Sequence, residues 1–269
     1  MKSGSDLTSD FWWLPRNIGI EDLSVSLGHH TALTDKDDPC SMQWFHSLDE
    51  NMQISPEAKY YDLDVLSKWR SVCKNTNVYR TIKVFDKKTG EPLFLGPFLI
   101  DIDNSVENNG FREDLDDAQA VTKQVVTYLI QQLELFSDDL RIFFSGRKGF
   151  NVEIRPQALG INGSLLDQVR LSSKKLDDII SALRNSNNIQ GSSRNVVGRQ
   201  GTIIDRIYGD RFGYKLKHPC VRLHDSINKW IRGDGKAVAR RKIEITLEQL
   251  RNMSAAEISL KSERLALIP

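Results

Sequence analysis

"RIFFSGRKGFNVEI", Arg141–Ile154, places two apolar runs around a small, basic turn bracketed by glycines. Ile142, Phe143 and Phe144 lead in, and Phe150, Val152 and Ile154 lead out, so the stretch predicts a hairpin of two buried strands. A hairpin needs the glycines but has no need of adjacent Arg147 and Lys148, and polar Asn151 falls where the apolar run resumes. Successive glycines let backbone N–H groups face a concavity that accepts anions. Arg147 can grip a phosphate through two parallel hydrogen bonds, and Lys148 adds a point charge. Alone, Ser145-Gly146-Arg147-Lys148-Gly149 reads better as an ordinary turn with solvated basic residues. Its neighbours alter the balance.

Upstream, Ala118, Val121, Val125, Leu129 and Leu133 recur at three- and four-residue steps, which predicts a helix ending near Ser137–Asp139. Before it, "NVYRTIKVFDKKTGEPLFLGPFLIDID" predicts a strand, a turn at Lys87–Gly90 and a second strand ending in acidic residues. The order strand, helix, strand, strand describes a helix-backed sheet of the α+β class. Downstream, "SKKLDDIISALRN" predicts a helix and "NSNNIQGSSRN" a loop. "GTIID", "CVRLHDSIN" and "RRKIEIT" are short strand candidates, and the tail is helical with Thr246 as N-cap. The opening residues mix aromatics with polar turns, and "DLDVLSKWRSVC" has helical spacing. The expected organisation is a mostly helical N-terminal region over 1–76 packed on a core over 77–269.

Composition bounds the class without choosing a function. Hydrophobic content of 39% and charged content of 27% are those of an ordinary globular chain. A net charge of +1 excludes a globally basic nucleic-acid coat but not a local basic groove. Cys40, Cys73 and Cys220 form no CxxC pair, and the histidines lack metal-ligand spacing with them, so neither a zinc site nor a disulfide framework is indicated. The N-terminus has no signal-peptide core and no run reaches membrane-spanning length. A soluble, cytoplasmic protein with no membrane partner is the expectation.

The carboxylates carry more. Asp101 and Asp103 stand at i and i+2 on a strand and so share one sheet face. Two like charges that close repel unless a cation lies between them, and hard oxygen ligands suit Mg²⁺ or Mn²⁺. Asp205 follows Ile203-Ile204 in the same manner, with Asp210 as a rival five residues on. Arg222 sits in an apolar "VRL" and wants an anionic partner there. From Lys229 to Lys242 the chain carries Lys229, Arg232, Lys236, Arg240, Arg241 and Lys242 around Trp230. That run is either a solvated strand face or a groove that tracks a nucleic-acid backbone with an aromatic for stacking.

In this order, "FLIDID", "FFSGRKGFN", "IID" and "VRLHDSINK" resemble the signature of the archaeo-eukaryotic primase superfamily, over roughly residues 77–245. The resemblance implies an RRM-like palm sheet backed by helices, with a helical N-terminal elaboration. It implies a template-directed nucleotidyltransferase, a DNA primase or primase-polymerase, that makes or extends primers on single-stranded DNA from NTP or dNTP. Asp101, Asp103 and Asp205, preferred over Asp210, would be the catalytic ligands of two Mg²⁺ or Mn²⁺ ions. Ser145, Gly146, Arg147, Lys148, Gly149, Asn151, Arg222, Ser226 and Asn228 would bind the nucleotide. Lys229, Trp230, Lys236, Arg240 and Arg241 would follow the nucleic acid, and a helicase or second primase subunit is an expected partner. The sequence departs from the pattern at Asn151, where the family has histidine. That departure leaves a second reading, a degenerate primase-fold subunit that binds nucleotide or nucleic acid within a replication or defence complex; retention of all three carboxylates argues against it. A metal-dependent nuclease would explain the carboxylates but not the turn.

Overall fold

The computed structural model describes residues 12–14, 23–30, 42–45, 54–55, 60–62, 78–86, 88–89, 91–103, 106–107, 110–111, 115–185, 190–191, 196–197, 203–205, 220–231 and 235–267. Seven strands come first: β1 (Leu23–His30), β2 (Met42–Phe45), β3 (Ile54–Ser55), β4 (Tyr60–Asp62), β5 (Val78–Thr81), β6 (Lys83–Asp86) and β7 (Pro92–Leu95). Next are β8 (Phe98–Asp103), the ribbon β9 (Val106–Glu107) and β10 (Gly110–Phe111), helix α1 (Asp116–Gln131), β11 (Leu140–Phe144) and β12 (Gly149–Ile154). Helix α2 (Leu165–Asn185) leads to β13 (Gln190–Gly191), β14 (Val196–Val197) and β15 (Ile203–Asp205). Then follow β16 (Cys220–Arg222), β17 (Ile227–Ile231), β18 (Ala237–Arg241), β19 (Ile243–Ile245), α3 (Leu247–Asn252) and α4 (Ala255–Ala266).

The chain divides into two units, each discontinuous in sequence. The first comprises Met1–Gly96, His218–Lys242 and Glu263–Pro269; the second comprises Pro97–Lys217 and Ile243–Ser262. The first unit holds a sheet ordered β16-β5-β1-β2-β3, with β4 and β6 also on β1 and β7 on β6. Its organiser is β1, which pairs with β4 and β6 through Leu23–Ser26 and with β5 and β2 through Leu27–His30. The elements described among residues 1–76 are strands; apart from residues 12–14, the rest of the region expected to be mostly helical lies outside the described residues. Leu23, Val25 and Leu27 alternate with Ser24, Ser26 and Gly28, the period-two pattern of a strand. The helix expected from "DLDVLSKWRSVC" lies outside the described residues beyond Asp62. Nor does the chain divide at 76/77. The single strand expected before the acidic end is two, and Gly96-Pro97 separates β7 in one unit from β8 in the other. Between β6 and β7, the Asp86 carboxylate accepts from the N–H groups of Lys88 (2.8 Å) and Thr89 (2.7 Å), which closes the turn foreseen there.

The second unit holds a sheet ordered β13-β14-β15-β8-β12-β11-β19. Every neighbouring pair in it is antiparallel. Its central run, β8-α1-β11-β12-α2-β15, alternates strands and helices as β-α-β-β-α-β. Phe98, Ile100 and Ile102 of β8, Ile142 and Phe144 of β11, and Phe150, Val152 and Ile154 of β12 are all buried, as are Ala118, Val121, Val125 and Leu129 of α1. These positions share one face of the sheet by period two and one stripe of the helix by period 3.6. Burying each of these side chains other than Ala118 stabilises the fold by about 1.5–3 kcal/mol. Helix α1 stops at Gln131, short of the expected Ser137–Asp139, because Glu134 adopts a left-handed conformation (φ 55°). The helical tail is two helices. Thr246 and Gln249 form a capping box at α3, and Ser254 exchanges hydrogen bonds with Glu257 at the start of α4. Among the described residues no helix is long and apolar enough to cross a membrane.

Candidate active site

The second unit's sheet has a polar face opposite its apolar one. Register defines its rows. Asn151 of β12 lies between Phe143 of β11 and Asp101 of β8, and Asp205 of β15 lies across from Asp101 on the other side. One row further along, Gly149 pairs with Asp103, and Asp103 with Ile203. Asp101 and Asp103 are half-buried while Ile100 and Ile102 between and beside them are fully buried, so the i, i+2 spacing does what it foretold. The SGRKG turn, which joins β11 to β12, opens at the row occupied by Asp103. Asp101 and Asp103 thus lie on one strand, with Asp205 at the register position facing Asp101. Among the described residues no group of three or more His, Cys, Asp or Glu gathers at metal-binding distance, and Asp205 enters through its backbone position alone. Asp210 lies outside the described residues.

The turn closes on itself. Ser145 N–H donates to the Gly149 carbonyl (2.9 Å), and Gly149 N–H donates to Ser145 Oγ (3.2 Å). Gly146 bends the chain at φ 88°. Gly149 is needed for space, because a Cβ there would sit 1.8 Å from the Ile102 carbonyl oxygen of β8. Phe144 and Phe150 pack at 5.5 Å between ring centroids and anchor the hairpin beneath. Arg147 and Lys148 are half-buried at the tip. The N–H of Gly149 is thus engaged within the turn, and Ser145 and Gly149 hold its shape.

Asn151 Nδ2 donates to Asp101 Oδ1. The cause is the register, which sets the two residues directly opposite on neighbouring strands, where side chains on one face meet.

The remaining expected residues belong to the first unit. Arg222 ends β16, and Leu223–Ser226 forms a turn closed by Ser226 N–H on the Leu223 carbonyl, with Asp225 at φ 63°. Ser226 and Asn228 are 1% and 3% exposed. Their Oγ and Nδ2 atoms have no hydrogen-bond partner among the described residues. Sequence reasoning placed Lys242 among solvated or groove-lining cations. It is buried, with Nζ donating to the Arg222 carbonyl (3.1 Å), so it fixes the backbone at Arg222. It lies between β18 and β19, beside buried Ile243.

The basic run does not present one surface. Pairing of β17 with β18 sets Asn228 opposite Arg240 and Trp230 opposite Val238, whereas Lys229 lies opposite Ala239 and Ile227 opposite Arg241. Trp230 and Arg240 therefore share one face, and Lys229 and Arg241 the other. Arg240 stacks on Trp230 at 5.2 Å from the ring centroid and reaches Glu263 at 3.6 Å. Arg241 Nε donates to the Leu265 carbonyl (3.0 Å). Both arginines thus tie the hairpin to the C-terminal segment of their own unit. Lys229 and Lys236 are exposed, and Arg232 lies outside the described residues.

Among solved structures, the chain is similar to the polymerase domain of Mycobacterium tuberculosis Ligase D, determined in complex with DNA. The TM-score is 0.50 at 13% identity, over 91% of this chain and 82% of that one. The likeness is one of fold: an α+β architecture shared with a polymerase domain. No family model and no curated protein matches the sequence.

Proposed function

We propose that the protein is a template-directed nucleotidyltransferase of the primase-polymerase type, acting on single-stranded DNA. The observation that carries the reading is the register of β8. It sets Asp101 across from Asp205, and Asp103 across from Gly149 at the mouth of the basic turn. Carboxylates and phosphate-binding cations on one sheet face are what a metal–nucleotide complex requires. The β-α-β-β-α-β run with strand order β15-β8-β12-β11 supports the assignment of the second unit as an RRM-like palm.

In this reading Asp101, Asp103 and Asp205 are the ligands for two Mg²⁺ or Mn²⁺ ions. Such ions, when bound, favour ionisation of an attacking hydroxyl and offset charge on leaving pyrophosphate. Arg147 and Lys148 bind the triphosphate, and the Ser145–Gly149 bonds keep the turn open to it. Arg222, Ser226 and Asn228 are assigned to the nucleotide on the Ser-x-Asn pattern, with the unpartnered Ser226 Oγ and Asn228 Nδ2 in support. The test incubates the protein with single-stranded DNA, labelled NTP or dNTP and Mn²⁺, with and without a primer. Wild type incorporates nucleotide, and Asp101→Ala and Asp103→Ala do not. Asp103→Ala leaves the unfolding temperature unchanged or raised, because removing one of two close carboxylates relieves repulsion. Full incorporation by either variant, or none by wild type, refutes the reading.

A further inference from the structure

The Asn151–Asp101 hydrogen bond bears on how the carboxylate is presented. Asn151 is 9% exposed and is held between Phe143, itself 1% exposed, and Asp101. A carboxylate only accepts, so the amide must turn its NH₂ end to Asp101 and its oxygen away. One oxygen of Asp101 is thereby pinned before any ligand arrives. The amide supplies direction without charge.

We propose that Asn151 is a positioning residue, acting on a divalent cation through Asp101 rather than contacting the triphosphate. The inference rests on the reading of Asp101 as a metal ligand. Partners that orient ligating carboxylates typically contribute 10–100-fold to metal affinity. Loss of the amide donor therefore weakens metal binding even when no nucleotide is present.

The experiment titrates the protein with Mn²⁺ alone and follows free Mn²⁺ by electron paramagnetic resonance. Nucleotide affinity is measured separately without divalent metal. Asn151→Ala and the near-isosteric Asn151→Leu weaken Mn²⁺ binding by about tenfold and leave metal-free nucleotide affinity unchanged. In an Asp101→Asn background, Asn151→Ala has no further effect, since the two residues act as one unit. In ¹⁵N-labelled wild type, the Asn151 side-chain amide signals shift on addition of Mg²⁺, a readout that needs no variant to fold. Unchanged Mn²⁺ affinity in both Asn151 variants, or a loss of metal-free nucleotide affinity, overturns the inference. Wild-type Mn²⁺ binding that is insensitive to Asp101→Asn removes the metal reading beneath it, and this inference with it.

Discussion

Replacing Gly149 by Ala tests the packing on which the site depends. The added Cβ would lie 1.8 Å from the Ile102 carbonyl oxygen, against the 3.0 Å that real Cβ atoms keep, a shortfall of about 1.2 Å. The obstacle is the backbone of a central strand, not the end of a flexible side chain, so β12 must move away from β8. Overpacking of this kind costs about 1–3 kcal/mol. The displaced ladder forfeits roughly two hydrogen bonds at about 1 kcal/mol each. A loss of about 3–5 kcal/mol lowers the unfolding temperature by roughly 6–20 °C. Because Gly149 pairs with Asp103, Mn²⁺ affinity falls as well if Asp103 holds the metal as proposed. The control is Gly160→Ala, where φ is 69° but nothing lies within 4 Å of the new Cβ. Only the left-handed backbone is penalised there, about 1 kcal/mol or roughly 2–4 °C. Thermal unfolding and urea titration of both variants decide the matter. Equal losses, or a Gly149→Ala protein within 1 kcal/mol of wild type, refute the argument from close approach.

Gln119 Nε2 donates to the carbonyls of Leu250 (3.0 Å) and Met253 (2.7 Å), so Gln119→Ala orphans both and destabilises by about 2–4 kcal/mol. Lys123→Ala, whose contact to the Arg251 carbonyl is exposed and long at 3.4 Å, shifts the urea midpoint by less than about 0.5 kcal/mol. Asp225→Gly relieves a left-handed backbone at φ 63° and raises stability by about 1 kcal/mol, read from the unfolding temperature. The Thr89 N–H, with that of Lys88, holds the Asp86 carboxyl below the ordinary carboxylate range. A lowered folded-state value means that its stabilisation is full above that range and is lost as acid protonates it. Asp86→Asn, which keeps the acceptor oxygen, flattens the acid limb of the stability–pH curve, and an unchanged limb would refute the assignment. If Lys229 and Lys236 follow template phosphates, Lys229→Ala and Lys236→Ala each make the slope of log affinity on log salt shallower by about 0.7. Filter binding to single-stranded DNA at several salt concentrations measures it.

The central β-α-β-β run was legible because its hydrophobic period changes cleanly from two to 3.6 and back. The acidic strand end and the basic turn stood out for the same reason, as polar residues set into apolar runs. What one strand places opposite another was not legible. Nothing local to "GFNVEI" says that Asn151 meets Asp101, because that is fixed by the alignment of residues fifty apart. Lys242 shows the same limit: in a basic run it looks solvated, and only the bend between β18 and β19 buries it. The N-terminal strands carried a period-two signal in Leu23–Leu27, but aromatic residues scattered around it masked the alternation. The end of α1 was missed because a left-handed Glu134 follows from tertiary fit, not from helix propensity.

The nesting of the two units has a consequence for synthesis on the ribosome. Strand β5 pairs with β16, and the residue facing Thr81 is Cys220, made about 140 residues later. At 5–20 residues per second, one flank of β5 waits roughly 7–28 s for its partner. During that interval the nascent first unit carries an open row of backbone donors and acceptors, a template for mispairing with neighbouring chains. The strands from β8 to β15 emerge within that same interval, from one continuous stretch, and in their sheet only the pairing of β11 with β19 waits for later residues. The later-encoded unit thus has most of its sheet synthesised while the earlier-encoded one still waits for β16.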